Sequence, residues 1–506
     1  MARTSVAAVW RFPVSAIILF LLLISGCGSP SPEEGGFADG SEDEGRGETI
    51  PFDGYTLFQP LRSRSVYLVD MKGGLAHRWQ TEYLPGQSVY MVENGHLLRA
   101  ARPEGYRGPF RAGGGGGVVQ EIAWDGTVGW EFRFADRDRR AHHDIEPLPN
   151  GNVLIIAWEL KTAVEAAAAG LDPQRLGGDS IWPDFVVEVQ PVRPRGGSIV
   201  WEWHAWDHLV QEYDPAQANY GDVSDHPELI DINAVTAHRQ RAQQAKPERI
   251  EWLQALGYVD GSAETGGPPS VDGDWLHTNA VDYNPELDQI LLTVRHFNEI
   301  WVIDHSTTME EAAGHTGGRG GRGGDLLYRW GNPEVHGAGT APHQRLFAHH
   351  DARWIPQGYP GAGNILVFNN GRGRPGKDYS TVDEIVPPVD SDGRYRLEPG
   401  RPAEPGDPVW SYSSSDPADL YSSHVAGAHR LPNGNTLIAV GIGGRVLEVG
   451  ADDTVVWEYV NPYLEDERTA GGRKRPKSDG GPAPGSIYRA TRLPRDHPGL
   501  AQLNGP

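Results

Sequence analysis

Leu431-Pro432-Asn433-Gly434-Asn435-Thr436-Leu437, with Asp453-Thr454-Val455-Val456-Trp457 behind it, is the stretch on which the fold turns. Asn-Gly between two apolar runs marks a hairpin, because both central residues of such a turn must tolerate positive φ. A small or acidic turn, a hydrophobic pair and an indole make up the second motif. Working outward, the first recurs as Leu148-Pro149-Asn150-Gly151-Asn152-Val153-Leu154, as Asn284-Pro285 leading to Ile290-Leu291-Leu292, and as Ile355-Pro356 leading to Asn364-Ile365-Leu366. The second recurs at Trp79, Trp130, Trp201, Trp330 and Trp410, which with Trp457 makes six indole-ended units. Each unit reads as inner strand, turn, second strand and outer hairpin. Repeats of about 40 to 50 residues with roughly four strands each mark a β-propeller, in which no blade buries its faces without neighbours. The predicted fold is all-β, a six-bladed β-propeller, with the six Trp as packing anchors.

The C-terminal run Ile487-Tyr488-Arg489-Ala490-Thr491-Arg492-Leu493-Pro494 copies the inner-strand pattern with no hairpin after it. It is assigned to the first blade, where it closes the ring without leaving sheet edges. The widest gap, Trp201 to Trp330, holds a polar, partly helical insertion over about 204–274, including Pro227-Glu228-Leu229-Ile230-Asp231 and Ile250-Glu251-Trp252-Leu253-Gln254-Ala255-Leu256. It is expected as a lid or rim on one face.

Of 506 residues, 68 are Asp or Glu and 45 are Lys or Arg, a net charge of -23 that excludes a nucleic-acid partner, which needs clustered cations. The 65 Gly and 40 Pro suit many short strands joined by turns. A single cysteine, Cys27, rules out an intramolecular disulfide. After Arg3 and Arg11, an apolar run from Val14 to Ile24 leads into Ile24-Ser25-Gly26-Cys27, a signal peptide over 1–26 ending in a lipoprotein-type cleavage box. The run is shorter than the roughly 20 apolar residues that span a bilayer. Residues 27–50 read as a lipidated Cys27 and a flexible acidic linker, and 51–506 as the propeller. The expectation is an exported lipoprotein, periplasmic or on the cell surface, held to the membrane by lipid alone.

Four inner strands carry a histidine near their start. His143 and His350 lie six residues before Pro149 and Pro356, and His277 and His424 lie eight before Pro285 and Pro432. Strand side chains repeat every second residue, so an offset of two keeps the face and shifts the height by about 7 Å. Four imidazoles from four blades are thus predicted to converge at one mouth of the channel. His142, His349 and His429 fall on the opposite face, and Asp144 and Asp351 stand where they could orient imidazoles. Arg295 and Arg374 follow second strands and bring guanidinium forks suited to an oxyanion. Four His around an axis could also hold iron, copper or zinc. Two guanidinium groups at the same mouth would repel such an ion, so no metal is expected.

These residues resemble the bacterial arylsulfate sulfotransferases, through Trp275-Leu276-His277-Thr278-Asn279-Ala280-Val281, Arg295-His296, His350-Asp351-Ala352, Asn370-Gly371-Arg372-Gly373-Arg374 and Tyr488-Arg489-Ala490. The resemblance implies an exported six-bladed propeller that moves a sulfuryl group from a phenolic sulfate ester to a phenol. It also implies a transiently sulfated histidine and no nucleotide sulfate donor. His277, His350 and Arg374 would then bind and polarise the sulfuryl group, with His143 and Arg295 as further substrate-binding groups. The family's nucleophilic histidine aligns just after Gly443-Gly444, where this chain has Arg445-Val446. Either His424 has taken over that role, or the chain keeps an anion pocket as a non-catalytic binding propeller.

Overall fold

The computed structural model describes residues 50–176, 178–234, 273–463 and 485–503. The signal segment, Cys27, the linker up to residue 49 and the stretch Ile250–Leu256 lie outside them. Six four-stranded sheets form the blades, so the chain is an all-β, six-bladed propeller. Their inner strands are Ile487–Pro494, Leu84–Met91, Arg139–Pro147, Thr278–Asn284, His350–Trp354 and Gly427–Arg430, and each touches the next around the ring. The C-terminal strand pairs antiparallel with Gly54–Pro60, Tyr55 opposite Leu493 and Leu57 opposite Thr491, and this closes blade 1.

Each outermost strand carries its repeat tryptophan, and the indole stitches one blade to the next. Trp130 Nε1 donates to Gly196 O of blade 3 at 2.7 Å, Trp201 to Thr307 Oγ1 of blade 4 at 3.1 Å, and Trp330 to Pro405 O of blade 5 at 2.7 Å. Trp410 donates to Asp453 of blade 6 at 3.1 Å, and Trp457 returns to Met71 O of blade 1 at 2.8 Å. Trp79 departs from this pattern, packing edge-on against Trp124 of blade 2 at 5.1 Å. The repeat therefore codes an inter-blade hydrogen bond as well as buried area, since a buried indole N–H needs an acceptor.

The described part of the insertion contains short 3-10 turns and a parallel pair of two-residue strands, Leu209–Val210 with Ile230–Asp231. Pro227 to Asp231, read as helical from sequence, is a turn entering that strand. Its carbonyls serve blade 4 instead of a helix: Glu228 O accepts Leu326 N at 3.0 Å, and Leu229 O accepts Arg329 at 2.8 Å. Ile230 and Ile232 join Trp201, Trp203 and Trp301 in one buried cluster, which anchors the insertion to blades 3 and 4.

Candidate functional site

The histidine-bearing strands are not regular where the histidines sit. Pairing slips between Ala141 and Ile145, between Thr278 and Ala280, and between His350 and Arg353. Around these bulges His143, His277 and Asp351 have φ of 49°, 53° and 55°, and Val425, ahead of the regularly paired inner strand of blade 6, has 45°. A bulge re-aims the side chains that flank it, so the rings reach the channel through local kinks and not through strict alternation.

The His143 and His277 rings meet at 4.5 Å and 71°, and His277 stacks on His296 at 4.7 Å. Each channel imidazole is tethered through Nδ1. His277 Nδ1–H donates to Asp274 Oδ2, while Asp274 Oδ1 accepts Trp158 Nε1–H at 3.0 Å. His143 Nδ1 lies 2.9 Å from His142 Nδ1, and His142 Nε2 lies 3.4 Å from Asp184 Oδ1. The two Nδ1 atoms share one hydrogen, given by one ring and accepted by the other. His143 Nε2 is buried and has no hydrogen-bond partner. Gly114 makes room for this ring: a Cβ there would lie 2.2 Å from His143 Nε2. His142 stacks on Trp158 at 3.9 Å, on the neighbouring strand of its own blade.

His350 Nδ1–H donates to Asn370 Oδ1 at 2.7 Å, and its Nε2 accepts Val425 N–H at 3.3 Å. That contact brings the head of blade 6 to the cluster, where His424 shares Nδ1 with Ser423 Oγ at 2.9 Å. Its Nε2 accepts from Arg372 at 2.7 Å. A guanidinium only donates, so His424 holds a lone pair at Nε2. Burial first, and then the Arg295 charge, hold His277 and His350 well below the ordinary imidazole range. Burial and the neighbouring rings of His277 and His142 do the same to His143. The His143 and His277 rings thus touch, His350 reaches Val425 beside His424, and the Arg295 charge acts on His143, His277 and His350.

Arg374 is held elsewhere. It donates to Thr381 Oγ1 at 2.9 Å and lies over the Tyr379 and Phe347 rings at 4.5 and 5.2 Å, while Arg372 is the guanidinium that reaches His424. The two arginines flank Gly373, which with Gly371 takes positive φ, and strand alternation cannot assign directions across such a turn. Asp144 and Asp351 do not orient the histidines that precede them. Both accept from Arg489, at 2.7 and 3.0 Å. Arg445 opens the third strand of blade 6 opposite Val460 and pairs with Glu458 at 2.6 Å, so a histidine at that position would stand away from the channel. Donor atoms of Asp274, His277 and His296 lie within 4.8 Å of one another, a three-donor set that the adjoining Arg295 charge disfavours for a metal ion. Sequence reasoning missed the roles of Asp274, Asn370, Arg372 and Gly114. Only Arg372 carried a signal, as the other arginine of its glycine-rich turn.

Likenesses to solved structures are at low identity. A Bacteroides caccae protein of unknown function is 11% identical, with 87% of this chain and 98% of that one covered and a TM-score of 0.41. Virginiamycin B lyase from Staphylococcus aureus is 8% identical over 82% and 83%, with a TM-score of 0.34. A putative 6-phosphogluconolactonase from Bacteroides fragilis is 12% identical over 88% and 86%, with a TM-score of 0.35. No curated protein matches the sequence. The arylsulfotransferase family model matches residues 58–447, which takes in His143, His277, Arg295, His350, Arg372 and His424. With most of the chain matched, including the inner strands that hold the histidines, the protein belongs to the arylsulfotransferase family, whose chemistry is sulfuryl transfer.

Proposed function

We propose that the protein moves a sulfuryl group from a phenolic sulfate ester to a phenol in two steps, with His424 as nucleophile and no nucleotide donor. The observation that carries this reading is the Arg372 contact at 2.7 Å to His424 Nε2, which places a neutral imidazole lone pair and a cation at one point. An incoming sulfate ester competes for the guanidinium through its oxygens and releases the lone pair to attack sulfur. As the Nε2–S bond forms, the S–O bond to the aryl group breaks, and charge gathers on the equatorial oxygens and the departing phenolate. Arg372 and Arg295 are fixed cations for both.

His277 serves the leaving oxygen. In the empty site burial and Arg295 keep it neutral. The ester's negative charge on Arg295 removes part of that bias, and Asp274 behind the ring then favours the imidazolium. His277 gives its proton to the leaving phenolate and takes one back from the acceptor phenol, whose oxygen attacks sulfur and breaks the Nε2–S bond. His350 positions the His424 segment through Val425, and His143 lines the substrate. Arg374 supports the turn that presents Arg372.

Incubation of purified protein with 4-nitrophenyl sulfate, without acceptor, is expected to add one sulfuryl mass to the peptide containing His424. His424→Ala is expected to abolish transfer to phenol. An unmodified His424 peptide together with an active His424→Ala enzyme would refute the assignment, and an inactive wild-type protein that still binds aryl sulfates would favour an anion-binding propeller. We also propose export and lipidation at Cys27, which places the enzyme on an extracytoplasmic membrane face. Cys27→Ser should then accumulate uncleaved and unlipidated, and a mature-length variant that stays with membranes would count against this.

A further inference from the structure

The glycine-rich loop of blade 4, Gly314-His315-Thr316-Gly317-Gly318-Arg319-Gly320-Gly321-Arg322-Gly323-Gly324-Asp325, takes no part in the chemistry above. It brings His315 and Asp325 to His208, at the root of the insertion. His208 is fully buried, with Nε2 2.9 Å from Ala312 O and Nδ1 2.8 Å from Asp325 Oδ1. His315 Nδ1 lies 2.7 Å from the same Asp325 oxygen. A carbonyl only accepts, so His208 carries its hydrogen on Nε2, and the neutral ring then turns a lone pair at Nδ1 onto a carboxylate oxygen that also only accepts. Two imidazole nitrogens therefore converge on one acceptor oxygen. His315 can donate from Nδ1 as a neutral ring, but His208 meets the carboxylate only with a second proton or through an ion shared by all three atoms.

The geometry points to a divalent transition-metal ion of the zinc type, bound by His208 Nδ1, His315 Nδ1 and Asp325 Oδ1. These donor atoms lie within 4.8 Å of one another. Zinc takes such ligands at about 2.0 to 2.2 Å, which sets tetrahedral neighbours about 3.3 Å apart. Each imidazole nitrogen needs to move only about half an ångström from the Asp325 oxygen to reach that spacing. Metal-binding imidazoles usually donate their other N–H to a carbonyl or carboxylate, as His208 does to Ala312. The His208 and His315 rings stand at 88°, and the His315 side chain is 60% exposed, which leaves the fourth position open to water. Trp203 stacks parallel to His208 and donates to Gly324 O at 2.7 Å, fixing one ligand while the loop supplies the others. Gly324 is needed for this approach, because a Cβ there would lie 2.6 Å from His208 Nε2. The ion would join the root of the insertion to the outer loop of blade 4.

The test uses the mature protein stripped with EDTA and titrated with zinc chloride alone by calorimetry, with thermal melting in parallel. The expected result is one ion per chain and a higher melting temperature with zinc. His315→Ala, at an exposed position, should fold and lose at least about tenfold in affinity along with the zinc-dependent shift. Asp325→Asn should behave likewise, and His277→Ala should bind as the wild type does. No zinc uptake by the wild type overturns the proposal and leaves a protonated ion-pair cluster. Uptake unchanged in both loop variants, or lost in His277→Ala, overturns it too, and in the last case assigns the ion to the channel.

Discussion

At the His143 end of the channel, carboxylates stand behind imidazoles and guanidinium groups stand beside them. Further along the same inner strands, Arg489 and Arg353 meet carboxylates directly. Arg489 contacts Asp144 at 2.7 Å and Asp351 at 3.0 Å, and Arg353 contacts Asp351 at 2.9 Å and Asp282 at 3.4 Å. Tyr90 OH joins both guanidinium groups, at 2.6 and 2.7 Å. This mesh faces a cavity of about 510 Å³ lined also by the turns at Pro285, Pro356 and Pro432. Opposite charges meet directly in the mesh, and the inner strands of blades 1 to 5 are tied at the axis. At the histidine mouth Asp274 stands behind His277, while the Arg295 charge acts on the buried rings and Arg372 reaches His424. One set of inner strands thus carries an ion-pair mesh at one level and a cluster of buried imidazoles at another.

Removing one partner from the mesh is the largest expected effect. Arg489→Met strands Asp144 and Asp351 in the interior and should cost about 3 to 5 kcal/mol of stability, read from urea denaturation. A variant that unfolds at the wild-type midpoint would break the contrast. Next comes His277→Ala, which should lower kcat by about 10²- to 10⁴-fold, the range for loss of a general acid, with a loss of urea stability smaller than that of Arg489→Met because Asp274 keeps the Trp158 N–H. Loss of stability without loss of rate would place His277 with the mesh. A smaller effect is expected for His142→Phe, which keeps the stack on Trp158 and removes the hydrogen-bond partner of His143 Nδ1. Transfer should fall roughly 10- to 100-fold, as for partners that orient a working imidazole, and His142→Gln should recover part of it because an amide both donates and accepts.

The six blades, the closing strand and the outer tryptophans were legible because they rest on period and turn chemistry, which the sequence carries directly. The convergence of His143, His277, His350 and His424 was legible only in outline. Strand alternation located the mouth, but bulges at three of those strands aim the rings, and a bulge leaves no reliable mark in composition. Long-range partners were illegible. Nothing near His143 in the chain announces Asp184, and nothing near His277 announces that Trp158 braces Asp274. The choice between Arg372 and Arg374 was lost for a local reason, since glycines at positive φ on either side of Arg372 disconnect its direction from that of the strand before it.

His305 sharpens the contrast with the least disturbance, because it is an imidazole in the opposite electrostatic position. It bridges two blades, with Nε2 3.0 Å from Glu188 Oε2 and Nδ1 2.8 Å from Asp288 Oδ1. Burial lowers its pKa, but the two carboxylates outweigh burial and raise it to about 9. The channel rings, which meet cations, move the other way. A folded-state pKa above the unfolded value of about 6.5 gives stability that is complete below about pH 6.5 and disappears as the pH climbs through 9. His305→Gln should therefore lower stability by on the order of 2 kcal/mol near pH 6.5, and the gap to the wild type should close by about pH 10. Paired urea titrations at the two pH values read this directly. A gap that is constant with pH would mean that His305 acts by packing against Trp201 and Tyr283, and that facing carboxylates do not decide which imidazoles in this propeller carry charge.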